Sequence, residues 1–389
     1  MQDGTAPAPA QQGADAVPVR VPVTLLTGFL GSGKTTLLNR GIRQPELSRT
    51  VVVINEFGQV GLDHSLVASS NDNIVVLENG CMCCTVRGDL LATLTDLYTA
   101  RSNGNVQPFD HVIIETSGLV DPVPLLQSLL SEPTLEACYR MATVITVYDV
   151  VNGPGTLQRH DESVRQIAVA DQLLLTKLDL LPPQEVAAKE ADAIKTLRAL
   201  NPAAVIARAP TSDREVAALL RAAGCDPRGS AEQALRWLNA QAYSHHGHDH
   251  GDHERCDHEH DHSAHEHASD IASFCFIKEQ PIAREALHLL LSSLEANLGA
   301  NLLRVKGLVN IAEEPGRPAL LQGAQHLLHN LAWLDAWPDA DHRTRIVFIA
   351  QGVAREAVEE MIELLERVAT RTALARQRAT PAPPATPDR

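Results

Sequence analysis

Eight residues, Gly28-Phe29-Leu30-Gly31-Ser32-Gly33-Lys34-Thr35, constrain this chain more than any other stretch. They fit G-x4-G-K-[ST] and follow an apolar run, Val21 to Leu26, that reads as a buried strand. Strand, glycine loop and helix in that order form a phosphate-binding loop. Its glycines let successive backbone N–H groups curl around phosphates, and the helix starting near Lys34 points the positive end of its dipole at them. Lys34 is placed to reach the β- and γ-phosphates, and the Thr35 hydroxyl to bind Mg(II). The stretch therefore implies a nucleoside triphosphate and a divalent ion; the bland alternative is a glycine turn between strand and helix.

The pattern downstream is that of a doubly wound, mostly parallel α/β sheet. Apolar runs at Val51 to Ile54, Ile74 to Leu77, His111 to Ile114, Ala142 to Val147, Gln172 to Leu175 and Ala204 to Ala207 alternate with helical stretches. An open parallel sheet binds its ligand at the carboxyl ends of its strands, and here those ends carry polar residues. Asn55 to Asp63, which includes Glu56, is a polar, glycine-bearing loop suited to sense a γ-phosphate. Glu115-Thr116-Ser117-Gly118 sets an acid and a glycine at the spacing expected beside nucleotide-bound Mg(II). Thr176-Lys177-Leu178-Asp179 selects the base: the Asp179 carboxylate can accept from both N1–H and the 2-amino group of guanine, while the Lys177 stem lies over the purine face. Adenine has no such donor pair, so GTP is favoured over ATP; an ordinary strand-end turn is the competing reading.

Cys81-Met82-Cys83-Cys84 brings three of the seven cysteines within four positions, which asks for metal or redox chemistry rather than disulfides. In an extended chain Cys81 and Cys83 face one side and Cys84 the other, so three ligands on one ion require a turn at Gly80. A further ligand such as Glu56 would complete a tetrahedral site for Zn(II) or Co(II). A redox dithiol and a closed structural zinc site remain the alternatives. A second metal-binding candidate is the segment His245 to His267, with ten histidines (His245, His246, His248, His250, His253, His258, His260, His262, His265 and His267) among seven acids and one Arg. So polar a segment cannot build a core and reads as a linker that captures metal, or as a plain solvated acidic linker. Beyond it, Ser273 to Ile277, Arg284 to Leu298, Leu302 to Val309, a helical stretch near Trp333, Thr344 to Ile349 and a last helix to about Val368 read as a smaller α+β domain. Cys138, Cys225 and Cys275, each isolated, read as buried thiols, and Trp333 and Trp337 as core or interface residues.

The expected organisation is a disordered start (1–19), a nucleotide domain (20–240), the His-rich linker (241–268), a second domain (269–369) and a disordered tail (370–389). The formal net charge of −15 speaks against nucleic acid as a partner. No apolar run is long enough to cross a bilayer, and the first nineteen residues lack an apolar signal core, so the expectation is a cytoplasmic protein with no membrane partner.

Taken together these motifs resemble those of CobW-type P-loop GTPases, in the metallochaperone group that includes HypB and UreG. The similarity spans Val21 to about Val368. It rests on Gly28 to Thr36, Asn55-Glu56-Phe57-Gly58, Asn79-Gly80-Cys81-Met82-Cys83-Cys84, Glu115 to Gly118, Thr176 to Asp179 and Leu303-Arg304-Val305-Lys306-Gly307. The resemblance implies GTP held by Gly28, Gly31, Ser32, Gly33, Lys34, Thr35, Thr36, Lys177 and Asp179, with Lys34 and Glu115 serving slow hydrolysis. It implies Zn(II) or Co(II) on Cys81, Cys83 and Cys84, delivery of the ion to a client protein, and a dimer that depends on nucleotide or metal. Two positions depart from the family pattern. Thr176 stands where an Asn usually braces the phosphate loop, and Gln59 where the residue is often acidic, leaving Glu56 a weaker surrogate ligand. The runner-up function is a metal buffer using the linker and cysteines; a P-loop kinase would need an acceptor base and a lid, for which no signal appears.

Overall fold

The computed structural model describes residues 20–57, 74–79, 85–222, 224, 226–246, 271–325, 331–353, 355–364 and 367–368. The chain begins with β1 (Val21–Thr27), buried along nearly its whole length as a parallel strand covered on both faces must be. It is followed by α1 (Lys34–Ile42), β2 (Thr50–Phe57), β3 (Ile74–Asn79), α2 (Thr85–Ser102) and β4 (His111–Thr116). Then come α3 (Val123–Ser131), α4 (Pro133–Cys138), β5 (Tyr139–Asp149), α5 (Gly153–Leu157), α6 (Asp161–Ala168), β6 (Gln172–Thr176), α7 (Pro183–Leu200), β7 (Val205–Arg208), α8 (Asp213–Arg221) and α9 (Ala231–Leu238). The seven strands form one sheet in the order β3-β2-β4-β1-β5-β6-β7, every pairing parallel. From β1 the chain first winds one way to β2 and β3, then returns through β4 and continues the other way from β5. The loop after β1 therefore opens at the reversal of strand order, where such sheets form a crevice.

Alternate residues of the same strands feed two cores. Val23, Leu25, Val53, Val112 and Ile114 pack against α2 and α3, while Leu26, Val52, Ile113 and Ile145 pack against Leu37 and Leu38 of α1 and Val216 and Leu220 of α8. The strands run past the ends that hydrophobicity suggested. β5 extends from Tyr139 to Asp149 rather than from Ala142 to Val147, and β4 includes Glu115 and Thr116.

The second part contains β8 (Ile271–Lys278), α10 (Arg284–Leu298), β9 (Leu302–Val309), β10 (Ala319–Gly323), β11 (Ala332–Trp333) and β12 (Thr344–Gln351), with 355–364 helical. Its sheet is antiparallel, in the order β11-β10-β9-β12-β8. One face buries Phe274, Val305, Ile346 and Phe348 against Leu287, Leu291 and Leu294 of α10. The other meets the first part: Leu308, Leu320 and Val347 join Trp237, Leu238 and Tyr243, and Leu303, Ala324 and Ile349 join the core around α3. Near Trp333 the expected helix is instead the short edge strand β11, because Ala319 and Leu320 pair with Trp333 and Ala332. Trp333 itself is partly buried, with the guanidiniums of Arg284 and Arg317 over its ring. Cys275 is buried, its thiol pushed up to about 11 by that burial, and Cys138 is half-buried. Cys225 lies outside the described residues.

The two parts are fastened through Asp171, at the turn between α6 and β6. Arg304 and Lys306, both on β9, reach its two carboxylate oxygens at 3.1 and 2.9 Å, and the Val144 N–H donates to it at 2.9 Å. Burial alone would raise this carboxyl, but the two cations and the hydrogen bonds hold it far below the usual carboxylate range.

His111 opens β4 fully buried, its Nε2 2.9 Å from Thr24 Oγ1 and its Nδ1 3.2 Å from Thr50 Oγ1. With Nε2 protonated the network closes, since Thr24 accepts from the ring and donates to Leu220 O, and Thr50 donates to Nδ1. Burial, with the charge of Arg221, brings the pKa down to about 3. Between about pH 6.5 and 3 the unfolded chain binds a proton here that the folded chain refuses, so acid removes stability, at up to about 1.4 kcal/mol per pH unit. Urea midpoints between pH 7.5 and 5 should fall more steeply for the parent than for His111→Gln; parallel lines would mean the imidazole is not the group responsible.

Candidate functional site

The loop after β1 has the shape its glycines permit. Gly28 adopts φ 136°, and a Cβ there would lie 2.3 Å from Val147 O, so no side chain fits beside β5. Gly31 and Gly33 have φ of 71° and 104°, with nothing within 4 Å of a Cβ, leaving the backbone amides on an open surface at the start of α1. Lys34 is buried in the curl of the loop, its Nζ donating to Gly28 O at 2.7 Å and to Phe29 O at 3.2 Å. A cationic donor ringed by amide groups is a fit for a polyphosphate. Thr36 follows on the exposed side of α1.

Strand register brings the acid to this loop. Leu26 pairs with Glu115, and Thr116 Oγ1 donates to Thr27 Oγ1 at 2.8 Å. The Thr35 hydroxyl donates to Glu115 Oε1 at 2.6 Å, and Glu115 is buried. Hydroxyl and carboxylate oxygens side by side next to Lys34 are hard ligands of the kind Mg(II) takes.

The residues expected to select the base, Thr176 to Asp179, sit at and just past the end of β6. The departure at Thr176 does not remove the brace expected of an Asn: its Oγ1 lies 2.8 Å from Ser32 O and 3.0 Å from Tyr148 O, donating between the two carbonyls. A shorter side chain does the work because β6 and the loop are close enough for a hydroxyl to span them. Lys177 takes a left-handed backbone, φ 63°, at a cost of about 1 kcal/mol for a residue with a Cβ. Its Nζ meets Asp149 Oδ2 at 2.7 Å. Asp179 is exposed in the turn that follows. A cavity of about 340 Å³ adjoins the loop, lined among others by Gly31, Ser32, Asp149, Asn152 and Lys177.

Two contributors escaped the sequence reading. Asp149 accepts from Lys177, from the Asn152 side chain and from the N–H groups of Val151 and Asn152; burial raises its pKa, but these bonds outweigh it and hold the carboxyl below the usual range. Its signal was an acid just past an apolar run. Arg40 on α1 fixes the loop after β7, reaching Pro210 O, Thr211 O and Asp213 at 3.0, 2.7 and 2.7 Å. Nothing in the local sequence pairs it with a loop some 170 residues on.

The metal candidates stand differently. Cys81, Cys83, Cys84 and Gln59 lie outside the described residues, as do the histidines of the linker from His248 onward. Glu56 lies on β2, in register with Glu78 of β3. β3 stops at Asn79, at the same carboxyl edge of the parallel sheet where β1 gives way to the phosphate loop and where Glu115 lies on β4, and α2 starts at Thr85. β3 stands two strands from β4, roughly 10 Å at ordinary strand spacing. Among the described residues no group of three or more His, Cys, Asp or Glu is arranged to hold a metal.

Comparison with known proteins agrees with this architecture. Residues 22–206 match the CobW/HypB/UreG nucleotide-binding domain, and residues 271–365 match the cobalamin synthesis protein cobW C-terminal domain. The chain is 29% identical over 339 residues to the zinc chaperone YjiA of Escherichia coli, covering 87% of this chain and 96% of that protein. It is 32% identical over 207 residues to the zinc chaperone CobW of Pseudomonas aeruginosa, covering 44% of this chain and 53% of the relative. The crystal structure of Zn(II)-bound YjiA GTPase from E. coli superposes with a TM-score of 0.61 at 26% identity, over 89% of this chain and 99% of that one.

Proposed function

The chain belongs to the CobW/HypB/UreG family and is a GTPase, and from that premise we propose that it is a metallochaperone in which nucleotide state gates the hold on a transition-metal ion. GTP lies in the loop Gly28 to Thr36. Lys34 and the loop amides take the phosphates; Lys177, braced by Asp149, and Asp179 take guanine. Thr35 and Glu115 would hold Mg(II), which when bound would supply positive charge against that developing on the phosphates. Lys34 stabilises the same charge by direct donation, and Glu115 fixes the Thr35 hydroxyl. Zn(II), or Co(II) in its place, is the cargo of Cys81, Cys83 and Cys84, with Glu56 as a further oxygen donor. The His-rich segment 241–268, joining a nucleotide domain at 20–240 to a C-terminal domain at 269–369, gathers ions for that site. The client is a metalloprotein; nucleic acid and membrane are not partners, the protein works in the cytoplasm, and any dimer depends on nucleotide or metal. Relatives named as zinc chaperones support zinc over cobalt.

The observation that carries this reading is the 2.6 Å contact of Thr35 with Glu115 beside Lys34, at the carboxyl edge of the sheet at which β3 ends with Asn79. Glu115→Gln keeps the size and the hydrogen bond but removes the charge behind the metal. Mg(II)-dependent GTP turnover should fall on the order of a hundredfold while GDP affinity without Mg(II) stays within a few-fold. Undiminished turnover would remove Glu115 from the site, and an intact hold on metal with no turnover in the parent protein would favour a buffer.

A further inference from the structure

The motif Leu303 to Gly307 has no part in the site as described, and α6 borders it only through Ser163, Gln166 and Ile167, which line the cavity beside the phosphate loop; α6 also reaches the elements on its other sides. At its amino end the His160 ring lies tilted at 35° against the ring of Phe29 in the phosphate loop, centroids 4.5 Å apart. Gln166, fully buried, donates from Nε2 to Gly118 O and to Val120 O, each at 3.1 Å. Those carbonyls belong to the loop that follows Glu115, and that loop lies against the phosphate loop so closely that a Cβ at Gly118 would stand 2.4 Å from Leu30 N. Arg165, the preceding residue, divides its guanidinium. Nη1 meets Asp121 Oδ2 at 2.7 Å, in the same loop, and Nε donates to Gln351 Oε1 at 2.9 Å, at the end of β12 in the other sheet. Just beyond the helix, Arg304 donates to Val169 O, and Arg304 with Lys306 holds Asp171. Arg304 and Lys306 are two apart on β9, which turns both to one face and both onto the turn between α6 and β6.

We propose that Arg165 and Gln166 are positioning residues for GTP hydrolysis, setting the Gly118 loop beside the phosphates, and that Arg165 makes this setting depend on the C-terminal sheet through Gln351. The inference rests on the GTPase reading of the site. A guanidinium fork has fixed geometry, so a shift of β12 that breaks the Gln351 bond changes the angle at which the fork meets Asp121. Gln166 carries any tilt of α6 to the carbonyls of Gly118 and Val120. The clasp of Arg304 and Lys306 on Asp171 holds the far end of the helix, leaving its amino-terminal half as the part that adjusts. The C-terminal domain thereby sets the rate of a reaction it does not touch, and a client bound there would act on hydrolysis by the same route.

Gln351→Ala tests this, because the residue lies on the other sheet and does not line the cavity beside the phosphate loop. In the full chain with Mg(II) and GTP, kcat should fall about three- to tenfold with KM changed less than twofold, the signature of a group acting on the reacting geometry rather than on binding. Arg165→Lys, which can keep the Asp121 pair but cannot fork, should match it, and Arg165→Lys combined with Gln351→Ala should be no worse than either alone. In the nucleotide-free protein, amide exchange at Gly118 to Asp121 should quicken in both variants, a readout independent of GTP chemistry. Parental kcat and exchange in Gln351→Ala, or effects that multiply in the double variant, would overturn the proposal. If the parent itself hydrolyses no GTP, the GTPase reading fails and the exchange comparison still decides the link between the sheets.

Discussion

Lys34→Ala is expected to lower GTP turnover by on the order of a thousandfold or more, with little loss of stability. The ammonium is the charge at the centre of the loop, held by the carbonyls of Gly28 and Phe29 where a β/γ-phosphate oxygen would meet it. Transfer of a phosphoryl group leaves the protein little to do except position charge, so no neighbouring group replaces it. The fold should survive, because the loop's course is set by the glycines at 28, 31 and 33 and by the Thr176 brace, none of which needs the lysine. Single-turnover hydrolysis beside a thermal melt separates the two effects. Turnover within tenfold of the parent would mean that the phosphates are held elsewhere.

The largest expected effect on stability is at the join between the two parts. Asp171→Ala leaves Arg304 and Lys306, both nearly buried, facing each other without their shared anion. Breaking a buried pair by removing one partner costs about 3–5 kcal/mol, and the cavity that leaves a quarter of Asp171 accessible argues for the lower end. Since Asp171 bridges the parts, the loss should uncouple their unfolding, giving two transitions in urea where the parent gives one. Asp171→Asn, which keeps the shape and can still accept hydrogen bonds, should lose less. A single transition at the parental midpoint for Asp171→Ala would show that the ion pairs contribute nothing net.

The nucleotide side was written in the sequence because its logic is local. A glycine pattern between a strand and a helix declares the backbone it needs, and buried parallel strands announce themselves as apolar runs. α10 and β9 match their sequence-based limits residue for residue, each having strong periodicity and a clear stop. The failures share one cause, dependence on partners far along the chain. β10 has five residues and β11 two, too few for a period to register, and the apolar spacing before Trp333 mimics a helix until pairing with Ala319 and Leu320 decides otherwise. Thr176 looked like a loss because residue type was weighed without the distance to Ser32 O. Arg304 and Lys306 were visible as a motif, but their purpose, a carboxylate more than 130 residues away, was not.

The central claim is that nucleotide and metal occupancy are linked through one edge of the sheet, and metal affinity in two nucleotide states measures that link. Co(II) titrated into the full chain reports thiolate ligation by its charge-transfer absorption, so the cysteines are read apart from the histidines, and Zn(II) competition then gives the zinc constant. With Mg(II) and a non-hydrolysable GTP analogue the thiolate site should bind about 5- to 150-fold more tightly than with GDP, and metal should tighten the analogue by the same factor. Equal affinities in the two states, or tight thiolate binding that survives Cys83→Ala, would contradict it.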